Sequence, residues 1–372
     1  MSPRLLYIAT EDWFFRSHFL PMARAARAAG FEVALATRLR KAAPALAAEG
    51  IRLLPLELGR AAADPRAVAR EVRATRRLLR AERPDILHLV ALKPVLVGGL
   101  AALGLPLRGV VHAVTGVGIV GIERGARAML TRVLLRAAIG PLLRRKNAWV
   151  LVENAADARS FGRPPPARVR QVGGAGIDPE HFAPLPPPAR ASAAVVARML
   201  WSKGIDTAVA AQERLARRGM ALELALAGPV DADNPNGFSA ATLAEWAARP
   251  GVRWLGRVGD VRAVWRDAAI AVLASRGGEG LPRSLLEAAA CGRPIVTTDV
   301  PGCRDFVRAG IEGLVVPPDD PAALADALAT LAADPELRRR MGEAARARVL
   351  AGYTETQVGA AVAALYRAIL AA

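Results

Sequence analysis

The chain has 372 residues, a length that suits two α/β domains of about 150–190 residues each better than one core. Its only cysteines, Cys291 and Cys303, exclude a disulfide scaffold and argue against a metal site of cysteine ligands. No apolar run approaches the roughly 18–20 residues that span a bilayer. The short apolar stretch near the N-terminus is expected to be a strand, not a secretory signal. We therefore expect a cytoplasmic protein.

The net charge of +17 is concentrated in the first half of the chain. Residues 1–190 contain 30 Lys and Arg against 14 Asp and Glu, a net of +16, whereas residues 191–372 contain 21 against 20. Such a basic half is expected to be drawn to an anionic surface, either acidic lipid or nucleic acid. Nucleic acid is the weaker candidate, because the basic half has few aromatic residues and resembles no nucleic-acid module.

Strands and helices alternate along the first half of the chain. Short apolar strands are predicted at 5–10, 31–37, 85–90, 109–115, 149–153 and 169–173. Helices with apolar residues at helical spacing are predicted between them, at 17–30, 63–84 and 92–106. This alternation is typical of a parallel sheet covered by helices on both faces.

A proline-rich segment, residues 184–192, divides the sequence and is predicted to be a stiff linker. A second alternation follows it, with strands at 193–198, 221–228, 252–256, 270–275, 294–298 and 313–317. The final helix, 354–371, carries one apolar stripe and is expected to dock: Val358, Val362, Leu365 and Ile369. Three parts are therefore predicted: a Rossmann-like domain (1–185), a second one (186–352) and a C-terminal helix (353–372).

The densest motif lies in residues 275–307, where a strand is followed by a Gly-rich turn and then by a helix that begins near Pro282. Open α/β sheets bind ligands at the carboxyl ends of their strands, and the N–H groups of a helix start suit phosphate. Glu279 and Glu287 could accept hydrogen bonds from sugar or ribose hydroxyls there. The alternative is a plain turn with two solvated glutamates, which fits Glu287 poorly because three alanines follow it in an apolar helix.

The pair Glu279/Glu287 within GEGLPRSLLEAAACGRPIVTTDVPG resembles the E-x7-E motif of retaining GT-B glycosyltransferases, glycosyltransferase family four in particular. The likeness covers nearly the whole chain. Residues 173–185 resemble the family's Gly-[Ile/Val]-Asp-x-x-x-Phe segment, and residues 196–206 resemble its Arg…Lys-Gly donor-diphosphate motif. The resemblance implies two Rossmann-like, doubly wound domains facing a cleft, with the C-terminal helix packing back on the N-terminal domain.

By this resemblance the second domain binds a nucleotide-sugar donor, without a divalent metal or other cofactor. Arg198 and Lys203 would neutralise the donor diphosphate and, with Glu279, carry catalysis, while Glu287 would contact the ribose. The remaining implied donor residues are Gly228, Gly278, Gly280, Leu281 and Pro282. The positions of Arg198 and Lys203 at the end of the second domain's first strand also favour this role, independently of the resemblance. The alternative is that both are ordinary surface cations.

The first half would carry the acceptor side. Residues 88–99 and 111–122 resemble a subgroup, including N-acetylgalactosaminyltransferases, that extends polyprenyl-diphosphate-linked glycans. The acceptor-side residues that follow from this are Arg16, Ser17, His18, Lys93, Thr115 and Gly116. Lys93 and Arg16 would contact the lipid diphosphate. Thr115 stands where many members have a histidine, so a dedicated histidine base is not implied, and His112 is expected to be a core residue.

Two other enzyme classes compete with this interpretation. Gly116-x-Gly118-x-x-Gly121 fits the dinucleotide fingerprint of an NAD-linked oxidoreductase, but it lies in a late βα unit and lacks the acidic residue about 20 positions on. A nucleotide-sugar epimerase of the same fold would need no lipid acceptor, and it would leave the basic first half unexplained.

Residues 124–148 alternate apolar clusters with arginine. As a helix, the segment would show Met129, Val133 and Arg136 beside a cationic flank with Arg127 and Arg132, as helices that bind anionic lipid do. The alternative is a core helix with a solvated arginine face. We expect a peripheral enzyme on the inner face of the plasma membrane. It would move a hexose or N-acetylhexosamine from a nucleotide sugar, UDP-linked by default, to a lipid-linked glycan.

Overall fold

The computed structural model describes residues 2–59, 64–116, 118–123, 125–162, 164–232 and 234–372. Its contacts divide the chain into two units. The first consists of the residues up to Gly176 together with Glu355–Ala372, and the second consists of Ile177–Thr354. Each unit has its own apolar core on both faces of a sheet.

The first unit alternates strands with helices. Its strands are β1 (Arg4–Glu11), β2 (Glu32–Arg38), β3 (Arg52–Pro55), β4 (Ile86–Val90), β5 (Gly109–Val114), β6 (Ala148–Val152) and β7 (Val169–Gln171). The helices among them are α1 (Asp12–His18), α2 (Leu20–Ala28), α3 (Ala43–Ala48), α4 (Pro65–Glu82), α5 (Leu92–Ala101), α6 (Ala126–Leu143) and α7 (Ala155–Ser160). Within the described residues the strands form one seven-stranded parallel sheet in the order β3-β2-β1-β4-β5-β6-β7.

Two of the differences from the sequence prediction have a clear physical cause. The single helix predicted at 17–30 is two helices that meet at Phe19, because Pro21 lacks an N–H and its ring would collide with the carbonyl four residues earlier. Strand β3 was not predicted. It is a short edge strand whose residues are only partly buried or exposed, so it has no continuous apolar run.

The second unit repeats the pattern. Its strands are β8 (Ser192–Val196), β9 (Glu223–Ala227), β10 (Val252–Gly256), β11 (Ile270–Leu273), β12 (Ile295–Thr298) and β13 (Gly313–Val316). Its helices are α8 (Ile205–Arg217), α9 (Ala240–Ala247), α10 (Val261–Asp267), α11 (Arg283–Ala290), α12 (Cys303–Phe306), α13 (Pro321–Ala333) and α14 (Pro335–Gly352). In the part of the chain that the structure describes, these strands make a six-stranded parallel sheet in the order β10-β9-β8-β11-β12-β13. The predicted pair of doubly wound sheets is confirmed.

The two units divide at Gly176 and Ile177, whereas the sequence predicted a boundary at 185/186. The segment from Ile177 onward belongs to the second unit because arginine side chains of that unit hold its carbonyl groups. Arg293, which is 3% exposed, donates to the carbonyl of Pro186 at 2.7 Å, and Arg346 donates to that of Pro179 at 3.3 Å. The proline-rich segment is therefore part of the second unit and does not form the link between the units.

The last helix, α15 (Glu355–Ala371), returns to the first unit and packs against α2, as predicted. Its predicted apolar stripe is buried in the core of that unit: Val358, Val362, Leu365 and Ile369. The Tyr366 hydroxyl lies 2.6 Å from the Tyr7 hydroxyl on β1 and 2.6 Å from Nδ1 of His88 on β4. These bonds fix the helix to the two central strands of the sheet.

Candidate functional site

The strand order of each sheet reverses at one place, between β1 and β4 in the first unit and between β8 and β11 in the second. Ligands of open α/β sheets bind at the carboxyl ends of the strands at such a switch point. Arg198 and Lys203 follow β8, and Glu279 follows β11. The predicted donor-site cations and the first motif glutamate therefore lie where the topology favours a ligand.

Lys203 and Glu279 are in direct contact although 76 positions separate them. The Lys203 Nζ lies 2.6 Å from Oε1 and 2.7 Å from Oε2 of Glu279. The side chains are only 19% and 13% exposed, so their attraction is screened little by water. The Ser275 hydroxyl donates to the same carboxylate at 3.1 Å and fixes its orientation. The site thus holds an oriented cation and an oriented carboxylate side by side.

Arg198 is the more solvated of the two predicted cations. Its Nη1 donates to Oδ2 of Asp231 at 2.6 Å, and its side chain is 45% exposed against 13% for Asp231. Asp231 lies on the loop after β9, so the ion pair joins the ends of two neighbouring strands. Sequence reasoning missed Asp231, because nothing local to it marks a partner 33 positions away.

The Gly-rich turn after β11 adopts the backbone conformation that its composition predicts. Gly277 and Gly278 have φ of 121° and 74°, and the Gly277 N–H donates to the Ser275 hydroxyl at 3.1 Å. The buried residues Leu281 and Pro282 follow, and Pro282 is the N-cap of α11, as predicted. The turn therefore places Glu279 only a few residues before the start of α11 at Arg283.

Glu287 is buried on α11, with 8% of its surface exposed. Burial raises the pKa of its carboxyl, and the nearby Arg283, whose Nε donates to Oε1 at 2.9 Å, opposes this. The Glu279 side chain is also mostly buried, at 13% exposed. Because neither glutamate is solvated, the alternative of two solvated glutamates on a plain turn is wrong.

Two glycines let backbone segments approach closely around the site. A Cβ at Gly228, a predicted donor residue, would lie 1.7 Å from the Ala197 carbonyl oxygen, next to Arg198. A Cβ at Gly302, which sequence reasoning did not single out, would lie 2.0 Å from the Gly280 carbonyl oxygen. The loop after β12 therefore packs against the Gly-rich turn through a contact that only glycine permits.

The switch point of the first sheet carries the predicted acceptor cations. Arg16 on α1 follows β1 and is exposed. Lys93 at the start of α5 follows β4, and its Nζ lies 2.7 Å from Oε2 of Glu71, with both side chains nearly buried. The charge of Lys93 is therefore compensated by Glu71, whereas Arg16 presents its charge to solvent.

The other predicted acceptor residues surround the same edge of the sheet. The Ser17 hydroxyl lies 2.6 Å from Nδ1 of His18, whose ring stacks on Phe14 with centroids 4.4 Å apart. Thr115 directly follows β5, and the N–H of Gly116 donates to Oδ2 of Asp157 at 2.9 Å.

His112 lies on β5 in the core of the first unit and is 1% exposed. Burial lowers the pKa of its imidazole to about 3, so the ring is neutral at any physiological pH. The prediction that His112 is a core residue is confirmed.

Helix α6 has an apolar face that points to solvent. This face consists of Met129, Leu130, Val133 and Leu134, each between 53% and 64% exposed. Arg127 and Arg136 are exposed on the same stretch of helix. In the first half of α6 only the small side chain of Ala128 is buried among the described residues, whereas the C-terminal part is buried through Ile139, Leu142 and Leu143, so the core-helix alternative is wrong for the first half.

Each unit matches one known family. The family described as "Glycosyl transferase 4-like" matches residues 4–147, and the one described as "Glycosyl transferases group 1" matches residues 190–334. The fold is that of a sucrose-phosphate synthase from Thermosynechococcus elongatus, with a TM-score of 0.81 at 21% identity over 99% of both chains. It is also that of HepE from Anabaena in complex with UDP and glucose, with a TM-score of 0.77 at 14% identity over 98% of this chain and 99% of that one. The fold is GT-B, and both families that match the chain are described as glycosyltransferases.

Among curated proteins, the chain is 25% identical over 310 residues to an N,N'-diacetylbacillosaminyl-diphospho-undecaprenol alpha-1,3-N-acetylgalactosaminyltransferase of Campylobacter jejuni, which covers 79% of this chain and 80% of that protein. It is 32% identical over 176 residues to the alpha-D-kanosaminyltransferase of Streptomyces kanamyceticus, over 47% of this chain and 45% of that protein. Three of its curated relatives are matched over only 10%, 45% and 32% of their own lengths.

Proposed function

We propose that this protein is a retaining glycosyltransferase that moves a hexose or N-acetylhexosamine from a UDP-linked sugar to a polyprenyl-diphosphate-linked glycan, in the assembly of a cell-surface polysaccharide or glycoprotein glycan. The observation that carries the proposal is the Lys203–Glu279 pair at the switch point of the second sheet. A cation and an oriented carboxylate beside the N-terminus of α11 suit a ligand that joins a sugar to a diphosphate.

The proposed chemistry breaks the bond between the anomeric carbon of the sugar and the diphosphate oxygen. Negative charge then grows on the departing nucleoside diphosphate, and cations held next to it lower the barrier. Lys203 has three N–H donors, and its contacts with Glu279 occupy two of them, which leaves one for a phosphate oxygen. Arg198 would supply a second cation, Glu279 would accept from the sugar hydroxyls, and Glu287 would accept from the ribose.

The remaining donor contacts in this proposal come from backbone. Gly278, Gly280, Leu281 and Pro282 form the turn against which the phosphates and the sugar would rest, and Gly228 would border the nucleotide. The Anabaena protein of the same fold has been crystallised with UDP and with UDP-glucose, which supports the choice of a uridine nucleotide.

Two observations support the proposed lipid-linked acceptor: the cations of the first unit and the name of one relative. Arg16 and Lys93 at the switch point of the first sheet would face the acceptor diphosphate, with Ser17, His18, Thr115 and Gly116 around the glycan. The C. jejuni relative is named for an undecaprenol-linked substrate. For Lys93 to contact a diphosphate, its ion pair with Glu71 must open or be shared.

At about a hundredfold excess over Kd, UDP is expected to raise the melting temperature of the purified protein by several degrees. GDP, ADP and NAD at the same concentration are expected to leave the melting temperature unchanged. Glu287→Gln keeps the shape of the buried side chain but removes its charge, so UDP is expected to stabilise this variant less. Thermal unfolding of both proteins with each nucleotide measures this. Stabilisation by NAD alone, or by none of the four, would contradict the donor assignment. A subsequent assay with UDP-sugars and a lipid-linked acceptor tests the transfer.

We further propose that the apolar face of α6 lies in the surface of an anionic membrane at the cytoplasmic side. Four largely exposed apolar side chains flanked by Arg127 and Arg136 suit insertion among acidic headgroups, and the +16 charge of residues 1–190 adds long-range attraction. No helix in the described part of the chain has the length and apolar character to cross a bilayer. The proposed attachment is therefore peripheral.

The double variant Leu130→Ser/Leu134→Ser is expected to bind phosphatidylglycerol vesicles roughly tenfold more weakly or worse, because two apolar side chains no longer enter the bilayer. Cosedimentation with these vesicles and with neutral phosphatidylcholine vesicles measures the effect. A matched control is Leu255→Ser/Leu350→Ser, which changes two leucines of the second unit that are 40% and 46% exposed. Equal vesicle binding by both double variants would disprove the attachment. Equal binding of the unaltered protein to phosphatidylglycerol and phosphatidylcholine vesicles would disprove it as well.

A further inference from the structure

Arg276, in the turn after β11, uses all five N–H groups of its guanidinium inside the protein. Nη1 donates to the Trp201 carbonyl and, at 2.8 Å, to Oδ1 of Asp206. Nη2 donates to Oδ2 of Asp206 at 3.0 Å and to the Thr207 hydroxyl at 3.2 Å, and Nε donates to Asp319. The side chain is 8% exposed. A guanidinium has five donors, so Arg276 has none left for a ligand.

One of these hydrogen bonds, to the Trp201 carbonyl, holds the turn Trp201–Lys203, which carries the donor-site lysine. The guanidinium stacks on the Trp201 ring, with 4.5 Å between the guanidinium carbon and the ring centroid. The backbone N–H of Arg276 also donates to the Ser202 carbonyl at 2.9 Å. Side chain and backbone of one residue therefore hold the two residues that precede Lys203.

The same arginine also binds two elements next to this turn, the start of α8 and the loop after β13. Asp206 and Thr207 lie in the first turn of α8, directly after Lys203 and Gly204. Asp319 lies in the loop after β13 and has φ of 59°, a left-handed conformation that a residue other than glycine seldom adopts. The ion pair with Arg276 gives that strained residue a partner.

We propose that Arg276 is a positioning residue of the donor site: it sets the place of the Lys203 ammonium against the donor diphosphate without touching the donor. This inference rests on the proposed function. Lysine cannot replace the arginine, because an ammonium has three donors instead of five and lacks the planar group that stacks on Trp201.

The test is isothermal titration calorimetry of the full 372-residue chain, which measures its affinity for UDP and for uridine, a ligand that lacks the diphosphate. Arg276→Lys is expected to weaken UDP binding by about tenfold or more, because a charged hydrogen bond to the diphosphate is lost, and to leave uridine binding unchanged. In the double variant Arg276→Lys/Lys203→Ala, UDP affinity is expected to equal that of Lys203→Ala alone, because Arg276 acts only through Lys203. Arg262→Lys is the control, since Arg262 is an exposed arginine bound to Asp260 by several hydrogen bonds.

Unchanged UDP affinity in a folded Arg276→Lys protein would overturn the inference, and so would a double variant weaker than either single one. An equal loss for uridine and UDP would also overturn it, because it would indicate general damage to the site. If Arg276→Lys does not fold, Asp319→Asn removes one charged partner and is expected to weaken UDP binding severalfold with uridine unaffected. If the unaltered protein binds no UDP, the proposed donor fails and this inference fails with it.

Discussion

Arg198→Ala is expected to lower turnover by about 10²–10³-fold, and Lys203→Ala by at least as much. Both cations would stabilise charge that develops on the leaving diphosphate, an interaction that is stronger in the transition state than in the bound substrate. The structure ranks the two residues. Lys203 is 19% exposed and Arg198 is 45% exposed. Water therefore screens the attraction between Lys203 and the diphosphate less, and we expect Lys203 to stabilise the transition state more.

The measurement is kcat and KM with a UDP-sugar, together with the melting temperature of each variant. Arg218→Ala provides a matched control, because Arg218 is also 45% exposed and also ion-paired, to Asp326, yet lies on the far end of α8. A fall in kcat for the two site variants with Arg218→Ala unchanged is the expected pattern. Full activity in folded Arg198→Ala and Lys203→Ala proteins would remove the basis for the donor site.

Gly302→Ala is expected to reduce kcat/KM for the donor by about 10²-fold. A Cβ at this position would lie 2.0 Å from the Gly280 carbonyl oxygen and 3.2 Å from that of Glu279, so the Gly-rich turn must move by more than 1 Å. A displacement of that size in a substrate-positioning segment can cost about 10²-fold in rate. Steady-state kinetics with a UDP-sugar measure the loss.

The chain offers a control that separates this collision from backbone strain. Gly310 has φ of 81°, close to the 83° of Gly302, but a Cβ there would meet nothing within 4 Å. Gly310→Ala is therefore expected to cost roughly 1–2 kcal/mol of stability and to leave the kinetics unchanged. If both variants lost activity equally, strain alone would explain the effect and the contact with Gly280 would be irrelevant.

Much of the architecture could be predicted because parallel strands in α/β sheets are short, continuous apolar runs. The strands around both switch points, β1, β4, β8 and β11, are of this kind and were predicted from sequence. Strand β3 was missed, because an edge strand with partly exposed residues has no such run. The division between the units was displaced, because prolines indicate stiffness but do not tell which unit a stiff segment packs against.

The candidate site was predicted only in part, for a similar reason. Lys203 and Glu279 were marked by their motifs, and the structure brings them into contact. The partner of Arg198 and the role of Arg276 depend on residues 33 to 75 positions away. From the sequence alone, a single arginine in a Gly-rich turn cannot be told from an ordinary surface arginine. Such contacts follow from the pairing of strands, which sequence periodicity does not specify.

The discontinuity of the first unit bears on the order in which the chain can fold during synthesis. All seven of its described strands are made before the second unit, yet Tyr366, which bonds to Tyr7 and His88, is made only after that unit. The second unit is one continuous stretch and can close its core as soon as it has emerged. The N-terminal sheet must wait for α15 with apolar surface uncovered, so in this protein the half that is synthesised first is the half that is completed last.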